Sequence, residues 1–247
     1  MIDWKKHFDH IYCIHYIPHT KRFAKCSDEL SRVGIKSSGV FSWRLTWDSP
    51  IYNKMYETVF KAAPSVGCMK VGFAHYCCIK EAYELGFNHV LILENDNIFL
   101  KDLDKIEKIL NDLPDDYDIC LLDKIPAKSA RYEEAVNKNR VNDSFIDIDK
   151  NFYVLANCYA LSRKGMKHVI ESQEKRLAIS DSYLRFSTMV PEEPGMKRYA
   201  AITSLAIQNP TFAPESENEK LRKVKSGINS NIDDYKRIGV DFDAYNQ

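Results

Sequence analysis

One ten-residue segment limits the fold of this chain more than any other: residues 90–99, which read VLILENDNIF. The first four residues are apolar without alternation, which is typical of a strand covered on both faces, as in a parallel sheet flanked by helices. In open α/β folds, ligands bind at the carboxyl ends of such strands. The segment therefore predicts a buried central strand that brings Glu94, Asn95 and Asp96 to a binding edge.

Glu94 and Asp96 are two carboxylates one residue apart. Their oxygens are hard ligands, which suit Mg²⁺ or Mn²⁺ better than a metal that prefers thiolates. A divalent ion held there could bridge the phosphates of a nucleotide and neutralise a leaving diphosphate. The alternative is a plain turn, because Asp and Asn also favour turns.

Composition excludes two broad classes of protein. The chain has 247 residues and 45% hydrophobic content, with 14 Tyr and 12 Phe, so it can build a core and is not globally disordered. The 35 basic and 35 acidic residues balance. Because nucleic-acid-binding proteins usually carry a basic surplus, we expect no nucleic-acid partner.

The cysteines and the apolar segments indicate a reduced compartment. Seven cysteines are scattered without a C-x-x-C pair or a regular disulfide spacing. The N-terminal residues lack the apolar core of a signal peptide, and no segment approaches the roughly 18 apolar residues of a membrane span. We therefore expect a cytoplasmic protein without a transmembrane segment, for which peripheral membrane contact is allowed.

Strand and helix signals alternate along the chain, which predicts an α/β fold with a mostly parallel central sheet flanked by helices. Strands are expected at 11–14, 40–45, 90–93, 118–122, 152–161 and 199–207. Helices are expected at 20–33, from 49–50 onward, and at 70–85, 103–110, 163–171 and 181–186. Gly34 and Gly86 are the expected helix stops, and Asp102 an expected N-cap.

Two segments lack clear apolar periodicity. Residues 124–149 are rich in charge, and a loop of that length is usually functional or mobile, so we interpret it as a lid over a bound donor. The chain turns polar after Pro210, and we expect this tail to be loosely packed or to lie over the domain.

Three separated segments, in order, resemble glycosyltransferase family 25, which contains lipooligosaccharide and collagen galactosyltransferases. The first is the strand at 11–16 with the basic helix start at 20–22, where Arg22 matches an Arg and His15 replaces the usual Asn. The second runs from Val71 through His75 to Asp96, with Asn95 in place of the family's middle Asp. The third is residues 157–165, similar to a strand-to-helix passage of the family.

This resemblance implies a single domain of GT-A type at residues 1–212, with a polar extension at residues 213–247. It implies transfer of a hexose, with galactose expected, from a UDP-sugar to a glycan or other hydroxylated acceptor. The expected transfer inverts the anomeric centre and uses Mn²⁺ or Mg²⁺. The resemblance does not identify the acceptor, the linkage or the oligomeric state.

The donor-binding residues expected from the resemblance are Arg22, Glu94, Asn95 and Asp96. Asp96 is the first candidate metal ligand, and Glu94 is either a second ligand or a ribose contact. Arg22 could hold a phosphate, since guanidinium matches paired oxygens. For His75, which shares a mainly apolar helix face, we expect a buried structural role, with donor binding as the alternative.

Inverting transfer needs a carboxylate that takes the proton of the attacking hydroxyl. The resemblance gives this role to Asp181, whose alternative role is an ordinary first-turn Asp that stabilises the helix dipole. Asp123, just after another predicted strand, is the reserve candidate.

Two other functions remain open on the sequence. A sugar nucleotidyltransferase would need a Gly-rich turn after the first strand, where this chain has residues 15–20, HYIPHT. The second is a glycosyltransferase-like binding or scaffold protein that has lost catalysis. Two departures from the family pattern favour that second alternative: Ala74 stands in place of the family's Ser, and Asn95 in place of its middle Asp.

Overall fold

The computed structural model describes residues 2–15, 20–36, 41–42, 66–123, 125–126, 132–148, 153–154, 157–176, 196–209, 236 and 238–245. Five α-helices lie within these ranges: α1 (Thr20–Arg32), α2 (Val66–Glu84), α3 (Leu103–Asn111), α4 (Tyr132–Lys138) and α5 (Arg163–Arg176). The predicted helices after Ser49 and at 181–186 lie outside the described residues.

The described strands are β1 (His10–Ile14), β2 (Phe41–Ser42), β3 (His89–Glu94), β4 (Asn97–Phe99), β5 (Ile119–Leu121), β6 (Ile125–Pro126), β7 (Phe145–Asp147), β8 (Tyr153–Val154), β9 (Cys158–Ser162), β10 (Arg198–Ala201) and β11 (Ala206–Gln208). Seven of these form the central sheet, in the order β2-β1-β3-β9-β5-β10-β7. Two antiparallel pairs, β4 with β11 and β6 with β8, lie outside it.

The central sheet is mostly parallel, as predicted. Strands β1, β2, β3, β5 and β10 run in one direction, and only β9 and β7 run in the other among the described strands. The neighbours of β3 differ from the expectation, since β9 pairs with it antiparallel. The chain enters β9 at the carboxyl edge of β3 and β5, where the carbonyl of Cys158 accepts from the amides of Leu122 and Asp123. Because β9 begins at that edge, it runs antiparallel to β3 and β5.

Burial on both faces explains the unbroken apolar run of β3. Leu91 and Leu93 belong to the core that packs with α1 and α3, whereas Val90 and Ile92 belong to the core that packs with α2 and α5. All four are fully buried. A strand with apolar neighbours on both sides needs no polar alternation.

Helix α2 is buried on more sides than one apolar stripe predicts. Residues 72–79 are buried in succession, because α2 contacts both β1 and α5. The helix starts at Val66, earlier than predicted, and ends at Glu84, followed by Gly86 with a φ of +84°. Leu85, the last residue of the predicted helix, is 62% exposed because it lies beyond the last turn.

Three predicted elements are corrected by the structure. The predicted loop at 124–149 is wrong for 132–148, which contain α4 and the edge strand β7. The predicted strands at 152–161 and 199–207 each divide in two. Residues 202–205 separate the later pair, and its second member, β11, joins β4 rather than the central sheet.

The described end of the C-terminal extension packs on the core. Ile238, Val240, Phe242 and Ala244 lie against it, and Tyr245 is buried. The Tyr245 hydroxyl donates to the carbonyl of Ser204 at 2.6 Å, and the amide of Lys101 donates to the carbonyl of Ala244 at 2.9 Å. These contacts fit the expectation that the tail lies over the domain.

The structure describes the side chains of six cysteines, and all six are buried and form no disulfide: Cys13, Cys26, Cys77, Cys78, Cys120 and Cys158. Cys13 and Cys26 approach most closely, with their Sγ atoms 3.4 Å apart. No helix in the described part of the chain has both the length and the apolar character needed to cross a membrane.

Candidate functional site

Polar side chains collect where the sheet strands meet the predicted binding edge. His15 follows β1, residues 94–97 end β3 and begin β4, Asp123 follows β5 and Asn157 precedes β9. Gln208 ends β11, which pairs with β4 directly after Asp96. Because β9 is antiparallel, its first residue lies at the same edge as the last residue of β3. The topology therefore brings residues far apart in sequence to one place.

Glu94 is the more exposed of the two predicted metal ligands, with 24% of its side chain accessible. Its Oε1 lies 3.2 Å from Nε2 of His75, on α2. Its backbone is held as well, because the Glu94 amide donates to the Asn157 carbonyl at 2.8 Å and the Glu94 carbonyl accepts from Asn97 Nδ2 at 2.8 Å. Glu94 thus presents one carboxylate oxygen that His75 does not contact.

Asp96 is only 8% exposed. Its Oδ2 accepts from Gln208 Nε2 at 3.0 Å, and its carbonyl accepts from the amide of Asn209 at 2.7 Å. Burial, and after it the charge of Glu94, raise the pKa of Asp96 from 3.8 to about 6, against the opposing effects of Gln208 and Arg22. The two carboxylates therefore repel each other at this edge.

Arg22 lies where the sequence predicted a phosphate-binding cation. It is in the first turns of α1, and its charge lowers the pKa of Asp96. The structure therefore brings Arg22, Glu94 and Asp96 together, with one positive charge beside two negative ones. A cation at the carboxylates would give the edge a surplus of positive charge, which suits a diphosphate.

Asn95 contacts His15 at the end of β1. Its Nδ2 lies 2.7 Å from Nδ1 of His15, and both side chains are buried. These are two positions at which the chain departs from the family pattern that it resembles, and they contact each other. The two departures therefore form a single contact.

A buried amide network lies beside the carboxylates. Asn97 Nδ2 also donates to the Asn157 carbonyl at 2.8 Å, and Asn157 Nδ2 donates to Asn97 Oδ1 at 2.6 Å and to Asp123 Oδ2 at 3.2 Å. The Asp123 side chain is fully buried. The network ties together the ends of β3, β5 and β9.

No role in the site was predicted for Asn97, Asn157 or Gln208. Asn157 and Asn97 are polar residues at strand boundaries, which is a weak signal because such residues also favour turns. Gln208 is 112 residues from Asp96, and nothing local indicates the contact. The predicted base Asp181 lies outside the described residues, so its role stays a prediction.

His75 is fully buried, as expected for a structural role. Its Nδ1 lies 2.8 Å from the hydroxyl of Tyr159, and its Nε2 faces Glu94. His75 contacts the predicted binding residue Glu94 through Nε2, and its alternative role in donor binding stays a prediction.

The donor set fits a hard cation with few protein ligands. Asp96 Oδ1 is buried and accepts no hydrogen bond from any described residue, and such an oxygen is costly unless something binds it. No group of three or more His, Cys, Asp or Glu side chains in the described ranges could hold a metal ion. Mg²⁺ commonly takes one or two carboxylates and fills its remaining positions with water and substrate phosphates. Glu94 and Asp96 meet that requirement.

No protein-family model and no curated protein matches the sequence. Among solved structures, the chain is similar to a glycosyltransferase involved in the glycosylation of the major capsid of PBCV-1, with 12% identity, a TM-score of 0.46 and coverage of 87% of this chain and 98% of that one. It is also similar to mouse xyloside xylosyltransferase 1 in its apo form, with 10% identity, a TM-score of 0.37 and coverage of 76% and 83%. At these TM-scores neither likeness assigns a function to this chain, and the resemblance to family 25 stays a prediction.

Proposed function

We propose that this chain is a GT-A type glycosyltransferase that transfers a hexose from a UDP-sugar to a glycan or other hydroxylated acceptor. One observation carries the proposal: Glu94 and Asp96 lie at the carboxyl edge of the buried strand β3, with the cation of Arg22 beside Asp96. The choice of UDP, of galactose as the hexose and of inversion rests on the sequence resemblance.

The charges of the site suit the donor's diphosphate. Asp96 offers Oδ1 to a divalent cation, and Glu94 offers the carboxylate oxygen that His75 does not contact. A bound Mn²⁺ or Mg²⁺ would supply charge neutralisation for the leaving diphosphate. Arg22 would hold a phosphate oxygen through its guanidinium.

Asp181 remains our proposed base for the acceptor hydroxyl. The reserve candidate Asp123 is enclosed and hydrogen-bonded to Asn157, so it is better suited to holding the strand ends than to meeting an acceptor. A general base must come within hydrogen-bond reach of the proton that it removes.

Sugar release and transfer from UDP-galactose and other UDP-hexoses, measured with Mn²⁺ and with EDTA, test the proposal. We expect Asp96→Asn to reduce turnover about 100-fold or more, because metal stabilisation of the transition state is worth several kcal/mol. The control is Asp104→Asn, which removes an exposed carboxylate from the first turn of α3. Turnover that is indifferent to EDTA and to Asp96→Asn would contradict the proposal.

A catalytically inactive sugar-nucleotide-binding protein is the second candidate, and Asn95, an amide in the place of the family's middle Asp, favours it. Without a middle carboxylate, the site carries less negative charge to hold a cation. Calorimetry with UDP separates the two functions. Binding of UDP without turnover of any UDP-hexose, by a protein with an intact Asp96, would identify the binding protein.

A further inference from the structure

Three side chains form a continuous line of hydrogen bonds from the core to the site. The Tyr159 hydroxyl lies 2.8 Å from Nδ1 of His75, and His75 Nε2 lies 3.2 Å from Oε1 of Glu94. Tyr159 comes from β9 and His75 from α2, so two elements on different sides of β3 meet at its last residue. The rings of His75 and Tyr159 also stack, with centroids 5.7 Å apart.

The direction of these hydrogen bonds follows from Glu94. An ionised carboxylate only accepts, so Nε2 of His75 carries the hydrogen that points at Oε1. In the neutral imidazole, Nδ1 is then the acceptor, and the Tyr159 hydroxyl donates to it. Tyr159 therefore selects the His75 tautomer that can hold Glu94.

A buried polar pair usually gives less folding stability than apolar side chains of the same volume. The polar atoms of His75 and Tyr159 therefore call for a role that apolar residues could not fill. His75 and Tyr159 are both fully buried, among apolar residues of the core between α2, α5 and the sheet. Two apolar side chains could fill that volume without polar atoms. Glu94, where the line of hydrogen bonds ends, is the member that reaches the surface.

We propose that His75 and Tyr159 are positioning residues that orient the Glu94 carboxylate for cation binding. The inference rests on the proposed function and adds a supporting shell to its metal site. Such outer partners fix the orientation of a ligand, and losing one typically weakens metal affinity about 10- to 100-fold. Held at Oε1, Glu94 directs its other oxygen to the cation that Asp96 shares.

Tyr159→Phe is the sharpest variant, because it removes one hydroxyl and keeps the ring. Titration of MnCl₂ into protein saturated with UDP should show about tenfold weaker binding, at the lower end of the range for outer partners. The matched control is Tyr117→Phe, which breaks a Tyr-to-His hydrogen bond of 2.9 Å at the opposite end of β3, between Tyr117 and His89. The control should keep the Mn²⁺ affinity of the unmodified protein.

A double-mutant cycle with Glu94→Gln shows whether Tyr159 acts through Glu94. If it does, Tyr159→Phe has no further effect on Mn²⁺ binding once Glu94 is changed, whereas independent effects would add. His75→Gln keeps one donor and one acceptor, and it should bind Mn²⁺ better than His75→Leu. This second pair tests the inference even if Tyr159→Phe does not fold.

The outcomes separate this inference from the function on which it rests. If unmodified protein binds Mn²⁺ and UDP but Tyr159→Phe and Tyr117→Phe bind equally well, the positioning role is wrong and the proposed function stands. Additive effects in the cycle also overturn the positioning role. If unmodified protein binds no Mn²⁺ in the presence of UDP, the metal-assisted function fails, and the inference fails with it.

Discussion

Asp96 combines its proposed role in binding with a cost to stability. Its pKa lies at about 6 in the folded chain, against 3.8 for an unperturbed Asp, because burial and Glu94 disfavour its charge. The folded state therefore binds the Asp96 proton more tightly than the unfolded state does. Stability from this group is fully present below pH 4 or so and is lost as the pH rises through about 6.

We expect metal-free Asp96→Asn to be more stable than the unmodified protein at pH 7.5. A pKa difference of this size corresponds to roughly 2 to 3 kcal/mol at neutral pH, and the gain should shrink towards pH 4.5. Urea denaturation in EDTA at several pH values measures it.

Asp112→Asn is the comparison of opposite sign. Hydrogen bonds from Lys108 and Ser144 hold the pKa of Asp112 below its usual value, so the loss of the Asp112 carboxylate should lower stability at pH 7.5.

The prediction for Asp96 has a clear contradicting outcome. If Asp96→Asn and the unmodified protein are equally stable across the pH range, the charge of Asp96 does not destabilise the folded protein.

The sequence predicted those site residues whose environment is local. Glu94 and Asp96 follow directly from the strand that carries them, and Arg22 from the start of the next helix after the first strand. Gln208 and Asn157 were not predicted, because they meet the site only through the pairing of β11 and β9. Nothing near either residue in the sequence distinguishes it from a turn residue.

Helix α5 is fixed to the sheet at Gly165. A Cβ built on this glycine would lie 1.9 Å from the backbone carbonyl oxygen of Asp118, just before β5. Ser162 strengthens the same junction, since its hydroxyl accepts from the amide of Gly165 at 3.1 Å and contacts Asp118. The close approach of backbone to backbone requires glycine here.

Gly165→Ala is therefore expected to destabilise the protein by roughly 2 to 3 kcal/mol, as in other overpacked sites. The sign is informative, because helix propensity alone predicts a gain of about 1 kcal/mol for Gly to Ala. Thermal or urea unfolding decides between the loss of stability expected from overpacking and the gain expected from helix propensity. Gly86→Ala is a useful comparison, since its φ of +84° strains any side chain but nothing lies within 4 Å of a Cβ there.

Helices and strands were predicted correctly where the residues of a single segment indicate the element. The cap of α3 is an example: Asp102 Oδ1 accepts from the amides of Asp104 and Lys105, as the sequence predicted. Strand β7 was missed because only three residues form it, too few for a periodicity to show. The antiparallel direction of β9 could not be predicted, since it depends on where the preceding chain crosses the sheet edge.

The C-terminal residues are part of the stability of the whole molecule. Deletion of residues 238–247 removes the apolar contacts of 238–245 and the hydrogen bonds to Ser204 and Lys101. We expect a loss of about 3 kcal/mol or more, comparable to losing a large buried side chain. Urea denaturation of the full and the shortened chain measures it.

Tyr245→Phe separates packing from hydrogen bonding, and it should cost only about 1 kcal/mol. An unchanged stability on deletion would mean that the segment from 213 onward is a separable extension, as the division at residue 212 proposes. A large loss of stability on deletion would show that the end of that extension is part of the first domain.

Strand β9 has a consequence for the order in which the protein is made. It lies between β3 and β5, yet it leaves the ribosome after both of them. A nascent chain that stops before residue 157 therefore exposes two unpaired strand edges to neighbouring chains. The acidic edge is assembled only after Gln208 has been synthesised, because Asp96 cannot acquire this partner earlier.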